Sequence, residues 1–101
     1  MQQLGAFIAV VTRLRDVAFD PQVAGMVAVG AIKDETGMKP ADAVKTLEEL
    51  LAQTKSLGLR NAIRMSLKDL YKSQGELEKM RQTLLEMVAE NDAAIQAKSA
   101  K

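Results

Sequence analysis

Apolar side chains recur along this chain at steps of three and four residues, and that spacing predicts helices almost from end to end. In the first stretch Leu4, Phe7, Ile8, Val11, Leu14 and Ala18 make one apolar stripe, which predicts a helix over about 3–18. Asp20-Pro21 then reads as an N-cap followed by proline at the first helical position, where a missing N–H costs nothing. The second helix runs over about 21–35. It carries Val23, Met26, Val27 and Ile32 around much of its girth, a pattern expected of a helix sandwiched between neighbours, until Thr36-Gly37 stops it. Pro40 opens a third, about 40–54, with Ala43, Val44, Leu47, Leu50 and Leu51 inward. Ser56-Leu57-Gly58 interrupts the pattern, and a fourth helix over about 59–73 follows with Leu59, Ile63, Leu67, Leu70 and Tyr71 on one side. Gly75 is placed to end it. The fifth, about 76–97, keeps Leu77, Met80, Leu84, Met87, Val88 and Ile95 on a single face, and residues 98–101 are expected to fray. The expected core includes Leu47, Leu67, Leu70, Leu84 and Val88.

Composition sharpens this all-α reading. The 101 residues make one domain, with 48% apolar and 27% charged residues, an ordinary globular balance. Phe and Tyr supply only Phe7, Phe19 and Tyr71, so the core must be aliphatic. There is no cysteine and no histidine, which removes disulfides, thiolate and imidazole catalysis, and Cys/His zinc sites. A cytoplasmic home fits best. Arg13, Arg15 and Asp16 interrupt the first apolar stretch, which is too short to span a membrane and lacks a signal-peptide layout. A net charge of +1 gives only weak attraction to nucleic acid.

The second and third predicted helices, and the fourth and fifth, form pairs over about 21–54 and 58–91 with a period near thirty-four residues. In the second pair Leu67, Tyr71, Gly75, Met80, Leu84 and Met87 stand at the spacing of the tetratricopeptide repeat's Leu, Tyr, turn Gly, small residue, aromatic and Ala. The stretch from Leu70 to Lys79 is similar to that family's inter-helix turn. The first pair repeats it loosely, through Val29, Ile32, Gly37, Ala43, Val44, Leu47 and Leu50. Arg64, Lys68, Met80 and Asp92 depart from the pattern. The resemblance covers about seventy residues and implies two stacked helical hairpins covered by the first helix; a generic antiparallel bundle is the alternative. It also implies a concave ligand face that would include Ala62, Met65, Asp69, Lys72 and Ser73.

Arg60, Arg64, Lys68 and Lys72 fall at four-residue steps and form a basic ribbon, either a docking strip for an acidic partner or a solvated face. Arg60, Arg64, Lys68, Lys72, Met65 and Asp69 are therefore the candidate partner-binding residues. With Leu77 at heptad position a, Asn91 also falls at an a position, where it would set the register of a coiled-coil dimer. Glu48 and Glu49, or Glu76 and Glu78, point apart on their helices and make no catalytic pair. The expected function is a non-enzymatic protein-interaction module, a small helical-repeat adaptor or assembly factor that takes a protein or peptide partner and no cofactor. The alternatives are a self-assembling bundle and a weak binder of nucleic acid or acidic surfaces.

Overall fold

The computed structural model describes residues 20–99. Among them the chain is all-α, and its four helices match the second to fifth predicted segments: α1 (Pro21–Asp34), α2 (Pro40–Gln53), α3 (Leu57–Ser73) and α4 (Leu77–Ser99). The predicted first helix, about 3–18, lies outside the described residues.

Local chemistry sets each boundary. The Gln22 and Val23 N–H groups donate to Asp20 Oδ1 at 2.9 and 3.2 Å, so the Asp20-Pro21 start of α1 holds. Beyond its end Gly37 takes a left-handed φ of 69°. The expected break at Ser56–Gly58 is instead the start of α3: Ser56 caps it by accepting the Leu59 N–H at 3.4 Å, and Gly58 sits inside the first turn. Glycine suits that position because a Cβ there would overlap the Gln22 side chain of α1.

At the end of α3, Gly75 adopts φ 75°. The Glu76 N–H donates to the Tyr71 carbonyl at 2.8 Å and the Gly75 N–H to the Lys72 carbonyl at 3.1 Å, the paired bonds of a Schellman cap. Nothing lies within 4 Å of a Cβ built on Gly75, so an added methyl would meet only backbone strain. Gly75→Ala is therefore expected to cost about 1–2 kcal/mol in chemical denaturation, despite alanine's helix propensity. A stabilised variant would mean that α3 and α4 run on as one helix.

Among the described residues the helices are arranged around α3, which touches each of the others, whereas α4 packs on α3 alone and α1 meets α2 only slightly. Gln22 lies against Gly58, Gly25 against Leu59 and Lys33 against Asp69, so α1 runs parallel to α3. Glu48 meets Tyr71 near one end of α3, and Arg60 reaches the carbonyls of Leu51 and Thr54 near the other, so α2 is antiparallel. The pairing of Arg60 and Arg64 with Glu90, and of Asn61 with Asn91, makes α4 antiparallel as well.

Val29, Ala43, Leu47, Ile63, Leu67, Leu70 and Tyr71 form the buried core. Two expectations fail here. Leu84 and Val88 are not core residues: they are 37% and 67% exposed. Nor is α1 enclosed all round, since among the described residues it buries only Val29 and leaves Met26 exposed. The first failure traces to how polar anchors orient α4 against α3.

Candidate interaction surface

A polar seam joins α3 to α4. Arg60 Nε donates to both carboxylate oxygens of Glu90, at 2.9 and 3.0 Å, and its Nη1 donates to the carbonyls of Leu51 and Thr54 at 2.7 and 3.0 Å. That guanidinium thus satisfies free carbonyls at the end of α2 while it grips α4. Arg64, only 6% exposed, donates from Nη1 to Glu90 at 2.6 Å, and its buried Nε has no acceptor among the described residues. One helical turn away Asn61 and Asn91 exchange amide hydrogen bonds at 3.0 and 2.7 Å, and Asn91 also donates to the Met87 carbonyl at 2.7 Å.

This seam dismantles the basic ribbon as a continuous docking strip. Arg60 and Arg64 face inward onto Glu90. Lys68 donates to Asp69 at 2.6 Å, and Lys33 of α1 reaches the other oxygen of the same carboxylate at 2.9 Å. Lys72 is exposed. Of the concave face implied by the repeat resemblance, Met65 and Lys72 present exposed side chains. Asp69 is taken up by the two lysines, and Ser73 donates to the Leu70 carbonyl of its own helix at 2.8 Å. Asn91 sets a register, but between α3 and α4 of one chain.

The seam also explains the orientation of α4. An unpaired buried guanidinium costs more than a few exposed methyl groups, so Glu90 and Asn91 must face α3. Met80 packs against the core, Thr83 is buried and Met87 half-buried on the same inward side. With about 100° of rotation per residue, Leu77, Leu84, Val88 and Ile95 then fall within about 40° of one another, a quarter-turn away from that side. All four are exposed, and Leu85 is exposed beside them. The single apolar face expected of this helix is really two.

The outward row lies toward one flank of α3. On α3, Met65 and Lys72 lie between the residues that meet α4 (Asn61, Arg64) and those that meet α1 (Gly58, Asp69), so they floor an open flank between α1 and α4. Met26 stands on the same flank of α1, while Ile32, round the other side, packs against the core. Met26, Met65 and the α4 row are therefore exposed toward the same flank of α3, with Lys72 among them. The opposite flank of α4 shapes a separate cleft of about 320 Å³ with α2 and α3, whose lining includes Glu48, Leu67, Tyr71, Lys79 and Glu86. Within it Tyr71 donates to Glu48 at 2.6 Å. Burial, then the neighbouring carboxylates, push the phenol pKa well above its usual range. A phenol held neutral in this way is a poor proton acceptor or nucleophile. Among the described residues no group of three or more acidic side chains is placed to hold a metal ion, and no helix is long and apolar enough to cross a membrane.

The titrating groups predict a broad pH plateau. Hydrogen bonds from Arg60 and then Arg64 lower the Glu90 pKa, and those from Lys68 and Lys33 lower that of Asp69. Carboxyls depressed in the fold contribute stability that is full above their unfolded values and lost as pH falls through the folded ones. Hydrogen bonding to Asp69 raises Lys33, and burial raises Tyr71, so their contributions are full below about 10 and lost as pH rises further. With no histidine or cysteine, no side chain of ordinary pKa titrates between these limits. The melting temperature should be flat from about pH 5 to 9, then fall below about 4 and above about 10. Thermal melts across that range check it, and a mid-range inflection would contradict it.

No protein-family model, curated protein or solved structure matches the chain.

Proposed function

We propose that this chain is a non-enzymatic protein-interaction module, a small cytoplasmic helical-repeat adaptor or assembly factor, whose binding surface is the trough between α1 and α4. The observation that carries this reading is the apolar row Leu77, Leu84, Val88 and Ile95, exposed beside Met65 and Met26. Soluble proteins rarely leave a large contiguous apolar patch uncovered unless another protein surface takes it. A trough flanked by two helices and floored by a third suits an amphipathic helix, whose anchors at three- and four-residue steps would enter between the methionines and the α4 row. Methionine suits such a surface because its flexible thioether adapts to the partner's shape.

A tetratricopeptide-like arrangement is part of this proposal. Parallel α1 and α3, with α2 and α4 antiparallel to α3, follow the order of two stacked hairpins, and the Gly75 cap closes the second. The slight contact between α1 and α2 is the departure. The apolar trough lies on the flank to which the repeat resemblance assigns a ligand, although the side chains that line it are mostly different.

Charge placed on the outward face tests the reading. Leu85→Glu/Val88→Glu alters two side chains that are more than half exposed, so the fold should survive with nearly unchanged stability. The variant should lose proteins that the wild-type chain retains from its native lysate, as identified by mass spectrometry. Retention of the same proteins at the same yield would contradict the trough as the binding surface. Light scattering separates the self-assembly alternative, which requires a concentration-dependent mass that these charges abolish.

A further inference from the structure

We infer that the helix taken up by the outward row of α4 is the α4 of a second copy of this chain. The two lie antiparallel about a two-fold axis level with Glu86, so that an outside helix gains the row by displacing the copy. This rests on the reading of the row as a helix-binding surface.

The first argument is the spacing of the row. Leu77, Leu84, Val88 and Ile95, all exposed, are separated by seven, four and seven residues, a series that reads the same from either end. An antiparallel two-fold reverses one helix against the other, and a symmetric series is what such an axis requires of a self-complementary face. With the axis level with Glu86, Leu77 stands opposite the partner's Ile95 and Leu84 opposite the partner's Val88. Moving the axis by one residue would displace every pair by about 3 Å and leave none level.

The second argument is charge. At about 100° per residue, Arg81 and Asp92 fall about 20° apart, on the edge of the row that faces away from α3. A two-fold keeps like edges together. In the register set by the apolar row, Arg81 is then within about 1.5 Å of level with the partner's Asp92, and Asp92 with the partner's Arg81. One antiparallel pairing thus makes two ion pairs beside its apolar contacts. A parallel pairing in register would set arginine against arginine and aspartate against aspartate. Among the described residues Arg81 is 71% exposed, with Glu78 at 3.8 Å as its one ion partner, and Asp92 is exposed and accepts only from Gln96, at 2.9 Å. Arg81 and Asp92 of the same helix stand about 16 Å apart along it, so they cannot satisfy each other.

Charge reversal in the full chain tests this by sedimentation equilibrium at low ionic strength, where exposed ion pairs are least screened. The mass of the wild-type chain should rise with concentration from that of one copy toward that of two. Arg81→Glu alone, or Asp92→Arg alone, turns both ion pairs into repulsions and should weaken association about tenfold. An equimolar mixture of the two single variants should recover it, because every charged contact of the mixed pair joins an acid to a base. The double variant Arg81→Glu/Asp92→Arg should recover it as well. A monomer at every concentration would overturn the proposal and leave the row to an outside helix. Single variants that associate like the wild type, or a mixture that fails to recover, would also overturn it, because the copies would then meet in another register. None of these outcomes touches the separate test by Leu85→Glu/Val88→Glu on proteins retained from lysate, whose failure would remove the row as a surface for outside partners.

Discussion

Leu47→Ala is expected to destabilise the protein by about 2–5 kcal/mol, among the largest effects of any single truncation in this fold. Leu47 is completely buried and belongs to a core cluster with Val29 of α1, Ala43 of its own helix and Ile63, Leu67, Leu70 and Tyr71 of α3. The loss would combine the transfer free energy of the removed methyl groups with a cavity that three converging helices cannot readily collapse. In a domain of this size that shifts the melting temperature by roughly 10 °C or more. Leu84→Ala is the matched control. Sequence periodicity places Leu84 in the core, where truncation would also cost about 2–5 kcal/mol. At 37% exposure it contributes less burial, and its truncation should cost only about 1 kcal/mol. Equal costs at the two positions in urea denaturation would contradict the orientation of α4.

The second large effect is expected at Glu90. Its carboxylate binds Arg60 and the buried Arg64, and Glu90→Ala would deprive both guanidinium groups of their counter-charge. Arg60 would keep the Leu51 and Thr54 carbonyls, but Arg64 would lose its one hydrogen bond among the described residues. Breaking a buried pair from one side costs about 3–5 kcal/mol, and the partial exposure of Glu90 places this case near the lower end. The desolvation cost is retained when a single partner is removed, so joint replacement behaves differently. Arg64→Met with Glu90→Leu should recover much of the loss, while Glu90→Ala alone should not. A double-mutant cycle with no coupling would mean that the seam does not orient α4.

These two positions show what the sequence makes legible. Leu47, Leu67 and Leu70 repeat at helical steps with no competing polar demand, and all three are buried as the periodicity predicts. The left-handed cap at Gly75 and the proline starts of α1 and α2 were equally readable, because local backbone chemistry determines them. On α4 the apolar stripe misleads. Met80 and Met87 share the inward side with Thr83, Glu90 and Asn91, and the larger group of Leu and Val residues faces out. That orientation depends on Arg60, Asn61 and Arg64 nearly thirty residues away, and periodicity within one helix carries no record of it. A signal was nevertheless present. Arg60-Asn61 and Glu90-Asn91 are complementary pairs on two helices joined by a tight turn, and antiparallel packing brings them level. The same four-residue spacing that suggests a basic ribbon also places Arg60 and Arg64 one turn apart, within reach of a single carboxylate.

We propose the outward face of α4 as the place where another helix binds. Methyl NMR of the full chain, titrated with a protein that it retains from lysate, tests that claim most directly. The Leu77, Leu84, Leu85, Val88 and Ile95 methyl resonances should shift together with those of Met65 and Met26, while those of Leu47, Ile63 and Leu67 stay in place. Shifts centred instead on Leu51 and Leu67, in the cleft between α2 and α4, with the outward face of α4 unchanged, would contradict it.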